Sequence, residues 1–289
     1  MAYIYLLIAM TFSALLTVVS RIYNNKCRGI ENVSALFSLV VSFSAAVSWF
    51  VLWCTDFTFD LRVLPYSLLY GVAYTLFTVG MLGAIKTGST SLTALIKQVA
   101  LVGVSFWGFA FWDTPITALA ITGIVLLILS LFLCLITKEA KNDSYDLHKW
   151  LLCAGMITVG NAGASIIQRY QQMAFDYKHK YMFMFFGLLS AFLFCALTAL
   201  CEDKKNWSRV LKSAWAFPAM AGAATALANV FILLLVNSDM SPAILYPGVA
   251  VGGLMITTVI SFVFFRERLR PLQWVGLAVG AVSLVLLNL

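Results

Sequence analysis

Ten predominantly apolar stretches, each roughly 20 residues long, dominate this sequence. An α-helix of about 20 apolar residues is long enough to cross the hydrocarbon core of a bilayer. The stretches cover residues 3–23, 33–54, 64–85, 90–112, 116–136, 148–170, 180–201, 213–236, 240–265 and 271–288. The alternation with period two that is typical of a membrane β-barrel strand is missing from them. The sequence therefore predicts an all-α integral membrane protein with ten transmembrane helices.

The composition disfavours a soluble domain and a metal or redox protein. Only 11% of the residues are charged, whereas about 25% is usual in soluble domains. The six cysteines are scattered singly and there are only two histidines, which argues against a metal site or a disulfide framework. We interpret the net charge of +7 as basic loops that face anionic lipid. We expect no cofactor, no bound metal and no nucleic-acid partner.

The two halves of the sequence resemble each other. The first stretch ends in "VVSRIYNNK" and the sixth in "SIIQRYQQM", while the fourth carries "TALIKQVA" where the ninth carries "PAILYPGV". Because five is an odd number, a second five-helix copy must cross the bilayer in the opposite sense. We predict one repeat over residues 1–140 and a second, inverted repeat over residues 141–289. Inverted repeats are common in secondary transporters, with the substrate site near the midplane between the halves.

The closing helices of each half resemble a known family. The segment "SPAILYPGVAVGGLMITTVISFVFFRERLRPLQWVGLAVGAVSLVLL" resembles the end of an EamA-type repeat of the drug/metabolite transporter superfamily. In the first half, "GAIKTGSTSLTALIKQVALVGVSFWGFAFWDTPITALAITGIVLLILS" resembles it more loosely. The residues that match the family's pattern are Pro247, Glu267, Arg268, Gly276 and Gly280.

The first half departs from that pattern. Gln98 stands where the family usually has proline, and Asp113 stands in for the Glu of its Glu-Arg pair. The resemblance implies an exporter of amino acids or related metabolites in the bacterial plasma membrane, with both termini cytoplasmic. Most of the 19 basic residues, however, fall in the odd-numbered connections, which by the positive-inside rule places both termini outside. The orientation stays open.

Lys97 is the most informative polar residue. It is the one basic residue that we predict well inside a stretch, roughly 10 Å from the start of the fourth at about 1.5 Å per residue. Ionisable residues inside a membrane mark functional sites, although a lysine near a helix end can also snorkel to the interface. All 12 acids fall in loops or at helix ends, which disfavours an exporter that exchanges cations for protons at an embedded carboxylate. The repeat places Tyr246 opposite Lys97, an arrangement that would suit a small organic anion.

Further polar and aromatic residues complete the predicted site. Asn161 and Asn229 lie near the middle of their stretches, where each needs a hydrogen bond. Substrate contact and bonding between helices are equally open for both. The remaining predicted substrate-binding residues are Gln98, Tyr74 and Trp107.

Pro247 and Gly248 interrupt the ninth stretch and predict a hinge. A proline inside a helix removes one backbone hydrogen bond and permits a kink. Broken helices near the midplane are common around transporter sites. The alternative is a kink that serves packing alone.

Taken together, the sequence predicts a secondary transporter of small organic metabolites that works by alternating access. We expect a small-molecule substrate, a lipid bilayer and a coupling proton or counter-substrate as partners, and a monomer or homodimer. The absence of a Walker motif from the sequence leaves direct ATP coupling unsupported, and we do not predict an enzyme. The alternatives are a multidrug exporter of lipophilic compounds, a membrane-embedded enzyme that acts on lipid-linked substrates, and a scaffold without transport activity.

Overall fold

The computed structural model describes residues 2–27, 34–87, 90–112, 117–135, 147–200, 206–238, 240–265 and 271–287. Every regular element in those ranges is helical. Six of the helices described there are long and apolar enough to cross a membrane. The chain therefore has the all-helical, apolar build that is expected of a membrane protein.

The helices follow the apolar stretches closely. The first half contains α1 (Ala2–Lys26), α2 (Ser34–Thr55), α3 (Leu64–Thr87), α4 (Thr90–Phe111) and α5 (Ala118–Leu135), with one turn of 3-10 helix at Leu61–Val63. The second half contains α6 (Leu147–Ala174), α7 (Lys180–Leu200), α8 (Trp207–Ala214), α9 (Ala216–Val236), α10 (Pro242–Phe265) and α11 (Pro271–Leu287). Each predicted stretch coincides with one helix to within a few residues.

The short helix α8 differs from the prediction. The eighth stretch was expected to begin at residue 213, but α8 precedes it and is separated from α9 by Trp215. Val210 and Ala214 of α8 are buried against Tyr23 at the end of α1. The basic residues of α8 are exposed, so this amphipathic turn lies on the end of the bundle with its charges outward.

Several threonine hydroxyls inside the apolar helices are satisfied within their own helix. Thr75 donates to the carbonyl of Gly71 at 2.8 Å, and Thr257 donates to that of Gly253 at 2.8 Å. Such bonds to the preceding turn remove the cost of a hydroxyl where water is excluded. Threonine is thereby tolerated in these apolar helices.

The helices of the two halves interleave. Helix α3 packs against α6 and α7, and α9 packs against α1 and α2. Helix α4 packs against α6 and α10, while α10 also packs against α1. The pairs α2 with α7 and α5 with α11 complete the main contacts. Neither half forms a separate bundle.

Small residues bring these helices close together. A Cβ atom on Gly160 of α6 would lie 2.4 Å from the amide nitrogen of Phe77 and 2.6 Å from the carbonyl oxygen of Ala73. The backbones of α6 and α3 are therefore in direct contact, as is common where small residues line a helix interface in a membrane. This contact fixes the height of α6 against α3.

The glycines of α11 serve the interface with α5. Ser130 of α5 donates to the carbonyl of Gly276 at 2.7 Å, and a Cβ on Gly280 would lie 2.6 Å from the Ser130 hydroxyl. In return, Ser283 of α11 donates to the carbonyl of Gly123 at 2.8 Å. The GxxxG spacing of α11 thus accommodates α5 of the same chain.

Candidate functional site

The candidate site is built on one face of α6. Asn161, Ser165 and Arg169 are spaced four residues apart, and residues at that spacing lie above one another on a helix. The described carboxylates, those of Asp56, Asp60 and Asp176, lie outside the α-helices. The polar face of α6 therefore carries neutral and cationic groups.

Lys97 of α4 contacts this face at its Asn161 end. The Asn161 side-chain nitrogen donates to the Lys97 carbonyl oxygen at 2.8 Å. The Lys97 ammonium lies 5.8 Å from the centre of the Phe77 ring on α3, within the range of a cation–π contact. Lys97 keeps some accessible surface although protein surrounds it, and no described carboxylate pairs with it.

Tyr246 of α10 contacts α6 at Ser165, one turn after Asn161. Its side chain is 3% exposed, and its hydroxyl lies 3.5 Å from the Ser165 carbonyl oxygen, the outer limit for a hydrogen bond. The same hydroxyl is adjacent to the guanidinium of Arg169. We expected Lys97 and Tyr246 to converge. Both do contact α6, but the cation described next to the Tyr246 hydroxyl is Arg169.

Arg169 is the residue that sequence reasoning missed. Arg169 stands at the end of the predicted sixth stretch, 148–170, and we predicted that Lys97 was the one basic residue well inside a stretch; this prediction is wrong. Helix α6 continues to Ala174, which places Arg169 more than one turn before its end. The signal was present in the glutamines that follow, because glutamine favours helices, and Gln171 and Gln172 are fully buried.

The Arg169 guanidinium is held among aromatic side chains. Its central carbon lies 4.7 Å from the centre of the Trp112 ring. Trp112, Tyr246 and Ile166 of α6 belong to one packed cluster. The Arg169 Nε and Nη1 atoms are buried, and no hydrogen-bond partner for them exists among the described residues.

Trp107 lies at the edge of the same region. Its indole nitrogen donates to the Tyr170 hydroxyl at 3.3 Å, and its ring stacks on Phe111 with centroids 4.3 Å apart. The Trp107 side chain is 37% exposed, so part of it faces away from the packed helices. Tyr170 also meets the edge of Trp112, with centroids 5.8 Å apart.

The other predicted site residues are less central. Asn229 donates to the carbonyl of Thr225 on its own helix at 2.9 Å. Tyr74 stacks on Tyr70 with centroids 6.1 Å apart, and its ring also contacts that of Phe77, which in turn lies near Lys97. The Gln98 side chain lies outside the described part of the structure.

The predicted hinge lies inside a continuous helix. Pro247 is within α10, which runs from Pro242 to Phe265. Gly248 is buried, and a Cβ there would lie 3.4 Å from the Leu6 methyl carbons of α1. Helix α10 is thus packed on α1 at the point where Pro247 removes a backbone hydrogen bond. Hinge motion at this point stays a prediction.

Comparison with known proteins gives a fold and no function. No protein-family model matches the sequence, and no curated protein matches it. A solved structure described only as "Crystal structure of protein" is similar, with a TM-score of 0.76 and 11% sequence identity. The alignment covers 99% of this chain and 95% of that chain. The similarity at this identity concerns the fold alone, and it extends over the full bundle.

Proposed function

We propose that this protein is a secondary transporter of small organic metabolites, and that it exports amino acids or related compounds from a bacterial cell. The observation that carries the proposal is the pair of cations Lys97 and Arg169, which lie inside the bundle without a described carboxylate partner. A charge inside an apolar bundle is costly. A transporter of carboxylate-bearing metabolites gives both cations a function that offsets this cost.

The packing of the helices supports two inverted five-helix repeats, residues 1–140 and 141–289, with all ten long helices in the bilayer. Exchanging the halves maps α1 onto α6, α3 onto α9 and α4 onto α10. Under that exchange the contact of α3 with α6 becomes the contact of α9 with α1, and both occur. The contact of α4 with α6 likewise becomes that of α10 with α1, and both occur. A bundle with this symmetry can alternate between two related conformations.

The position of the site agrees with this scheme. Lys97 comes from α4 in the first half, whereas the Asn161 and Arg169 side chains come from α6 and Tyr246 from α10 in the second. A substrate among them would contact both halves at once. Relative movement of the halves would then expose it to one side of the membrane or the other. The EamA-type transporters, which the sequence resembles, are the family that we propose for this chain.

Transport is tested with the purified full chain in lipid vesicles. Vesicles loaded with unlabelled amino acids are placed in buffer that contains one radiolabelled amino acid at a time, and exchange is followed. We expect exchange for at least one amino acid, and none in protein-free vesicles or with Lys97→Ala. Lys178→Ala, which removes an exposed lysine from the turn after α6, is the matched control and should retain exchange. Equal exchange by wild type and Lys97→Ala would contradict the proposal.

A further inference from the structure

Four buried N–H groups without a described acceptor lie together at the end of α4 and α6. The Arg169 Nε and Nη1 atoms carry three hydrogens between them, and both atoms are buried without a partner in the described chain. The indole nitrogen of Trp112 is also buried and has no hydrogen-bond partner in the described chain. A buried N–H without an acceptor is costly, more so when it carries charge. Clustered orphan donors therefore point to an acceptor that binds there.

The surroundings favour an anion over a neutral acceptor. The Trp112 ring stabilises the guanidinium charge through its π face at 4.7 Å but supplies no oxygen acceptor. The Tyr246 hydroxyl, next to the guanidinium, is a further hydrogen-bond group at the same place. These groups stabilise a positive charge and leave the hydrogens of Arg169 Nε and Nη1 without an acceptor, which is the arrangement that a carboxylate completes.

The main chain of Lys97 on α4 meets α6 about two turns before Arg169. The Lys97 carbonyl is bonded to Asn161, eight residues before Arg169, which corresponds to about 12 Å along the helix axis. The planar guanidinium also matches a carboxylate with two parallel hydrogen bonds, whereas an ammonium acts as a point charge. Arg169 is the better of the two cations for recognising this group.

We propose that Arg169, together with the Trp112 indole N–H and the Tyr246 hydroxyl, binds the carboxylate group of the transported metabolite. This inference rests on the proposed transport function and makes it specific. The aromatic rings of Trp107 and Phe111, stacked on the preceding turns of α4, would contact an apolar substituent beside that carboxylate. The substrate class is then a small carboxylate, zwitterionic or anionic, with an apolar or aromatic side group.

The test measures thermal stability of the purified full chain in detergent with four probes of similar size. The probes are L-phenylalanine, 3-phenylpropionate, 3-phenylpropanamide and phenethylamine, at equal concentration and ionic strength. We expect the two carboxylates to raise Tm and the amide and amine not to do so. Arg169→Gln should weaken the apparent carboxylate affinity about 10-fold or more, the scale set by loss of charged hydrogen bonds. Arg209→Gln, at an exposed arginine of α8, should respond like wild type.

Three outcomes would overturn the proposal. The first is equal carboxylate stabilisation of wild type and Arg169→Gln, and the second is the failure of both carboxylates to stabilise wild type. The third concerns Asp113, which follows Trp112 in the sequence and lies outside the described residues. If Asp113→Asn and Arg169→Gln lower Tm equally without probes and leave the carboxylate response intact, the arginine pairs with its own chain.

Two further readouts keep the test decisive. If Arg169→Gln does not fold, Arg169→Lys and Tyr246→Phe replace it, and a carboxylate response in both that equals wild type overturns the assignment. Binding is measured in detergent without vesicles, so a failure to bind can be told apart from a failure to transport. A carboxylate response that depends on Arg169 in a protein without exchange activity would support the site and contradict the proposed transport.

Discussion

The side-chain amide nitrogen of Asn161 donates a hydrogen bond to the main-chain carbonyl of Lys97, with the two atoms 2.8 Å apart. This bond joins α6 of the second half to α4 of the first. It uses one of the two N–H groups of Asn161 and leaves the other N–H and the amide oxygen. Asn161 therefore holds two helices together at the site and still has groups that a ligand can contact.

Asn161→Ala is expected to destabilise the protein. Loss of a hydrogen bond between membrane helices costs about 0.6 kcal/mol on average and up to about 1.7 kcal/mol. The matched control is Asn229→Ala. The described hydrogen bond of Asn229 goes to Thr225 of its own helix, so this substitution should cost less stability. Thermal melts in detergent measure both. A control that loses as much stability as Asn161→Ala would contradict the role of Asn161 as a link between helices.

Lys97→Met is expected to separate stability from function. Methionine keeps the length of the side chain and removes a surrounded charge that has no described carboxylate partner. Removing such a charge should leave Tm unchanged or raise it, because the desolvation penalty disappears. Substrate exchange in vesicles should fall about 10-fold or more if the ammonium contacts the substrate. A marked fall in Tm would show instead that Lys97 serves folding.

The helices could be predicted from the sequence because their cause is local. A stretch of apolar residues as long as a bilayer is thick has one favourable state, a helix in lipid. The end of α6 was misplaced since its last turns are polar: Gln171 and Gln172 read as loop residues but are fully buried. Whether a polar residue is buried depends on the neighbouring helices, and the local sequence pattern does not predict it.

The partners of the polar residues could not be predicted for the same reason. Asn161 and Asn229 look equivalent in the sequence, each a lone amide in an apolar stretch. In the structure Asn161 bonds across to α4, whereas Asn229 bonds back to its own helix. The repeat predicts that Lys97 and Tyr246 lie opposite each other, and in the structure both contact α6. It could not indicate that Arg169 would be the neighbour of Tyr246.

The turn before α3 offers a test by pH. Arg62 donates to Asp60 through its side chain, with Nη2 and Oδ2 2.8 Å apart, and through its main-chain nitrogen at 2.9 Å. The Arg62 side chain and then its backbone N–H hold the pKa of Asp60 below its usual value. A lowered folded-state pKa stabilises the fold above the unfolded pKa of about 3.9. That contribution is lost as the pH falls through the lowered value.

Asp60→Asn should therefore lower Tm slightly at pH 7, since Arg62 is 82% exposed and solvent screens the pair. The difference from wild type should close in acid, below about pH 4. Asp56→Asn is the control, because among the described residues no arginine bonds to Asp56. Melts across the pH range measure both variants. A Tm difference for Asp60→Asn that persists at the lowest pH would show that the charge of Asp60 is not its cause.

Gly160→Ala tests the close contact that positions the site. An added Cβ would lie 2.4 Å from the amide nitrogen of Phe77 and 2.6 Å from the carbonyl oxygen of Ala73. Both atoms belong to the backbone of α3, so they can yield only if the helices move apart. Overpacking of this kind costs about 1–3 kcal/mol, and we expect a lower Tm in detergent melts.

Gly155→Ala, on the same helix, is the matched control, because a Cβ there meets nothing within 4 Å. It should be neutral or stabilising, since alanine is more favourable than glycine inside a helix by about 1 kcal/mol. Gly160→Ala should also weaken exchange in vesicles, because α3 carries Phe77 and α6 carries Asn161, the two contacts that position Lys97. Equal Tm values for the two alanine variants would mean that α3 and α6 do not pack backbone against backbone. A Gly160→Ala protein with lowered Tm but normal exchange would mean that this packing supports the fold and leaves Lys97 in place.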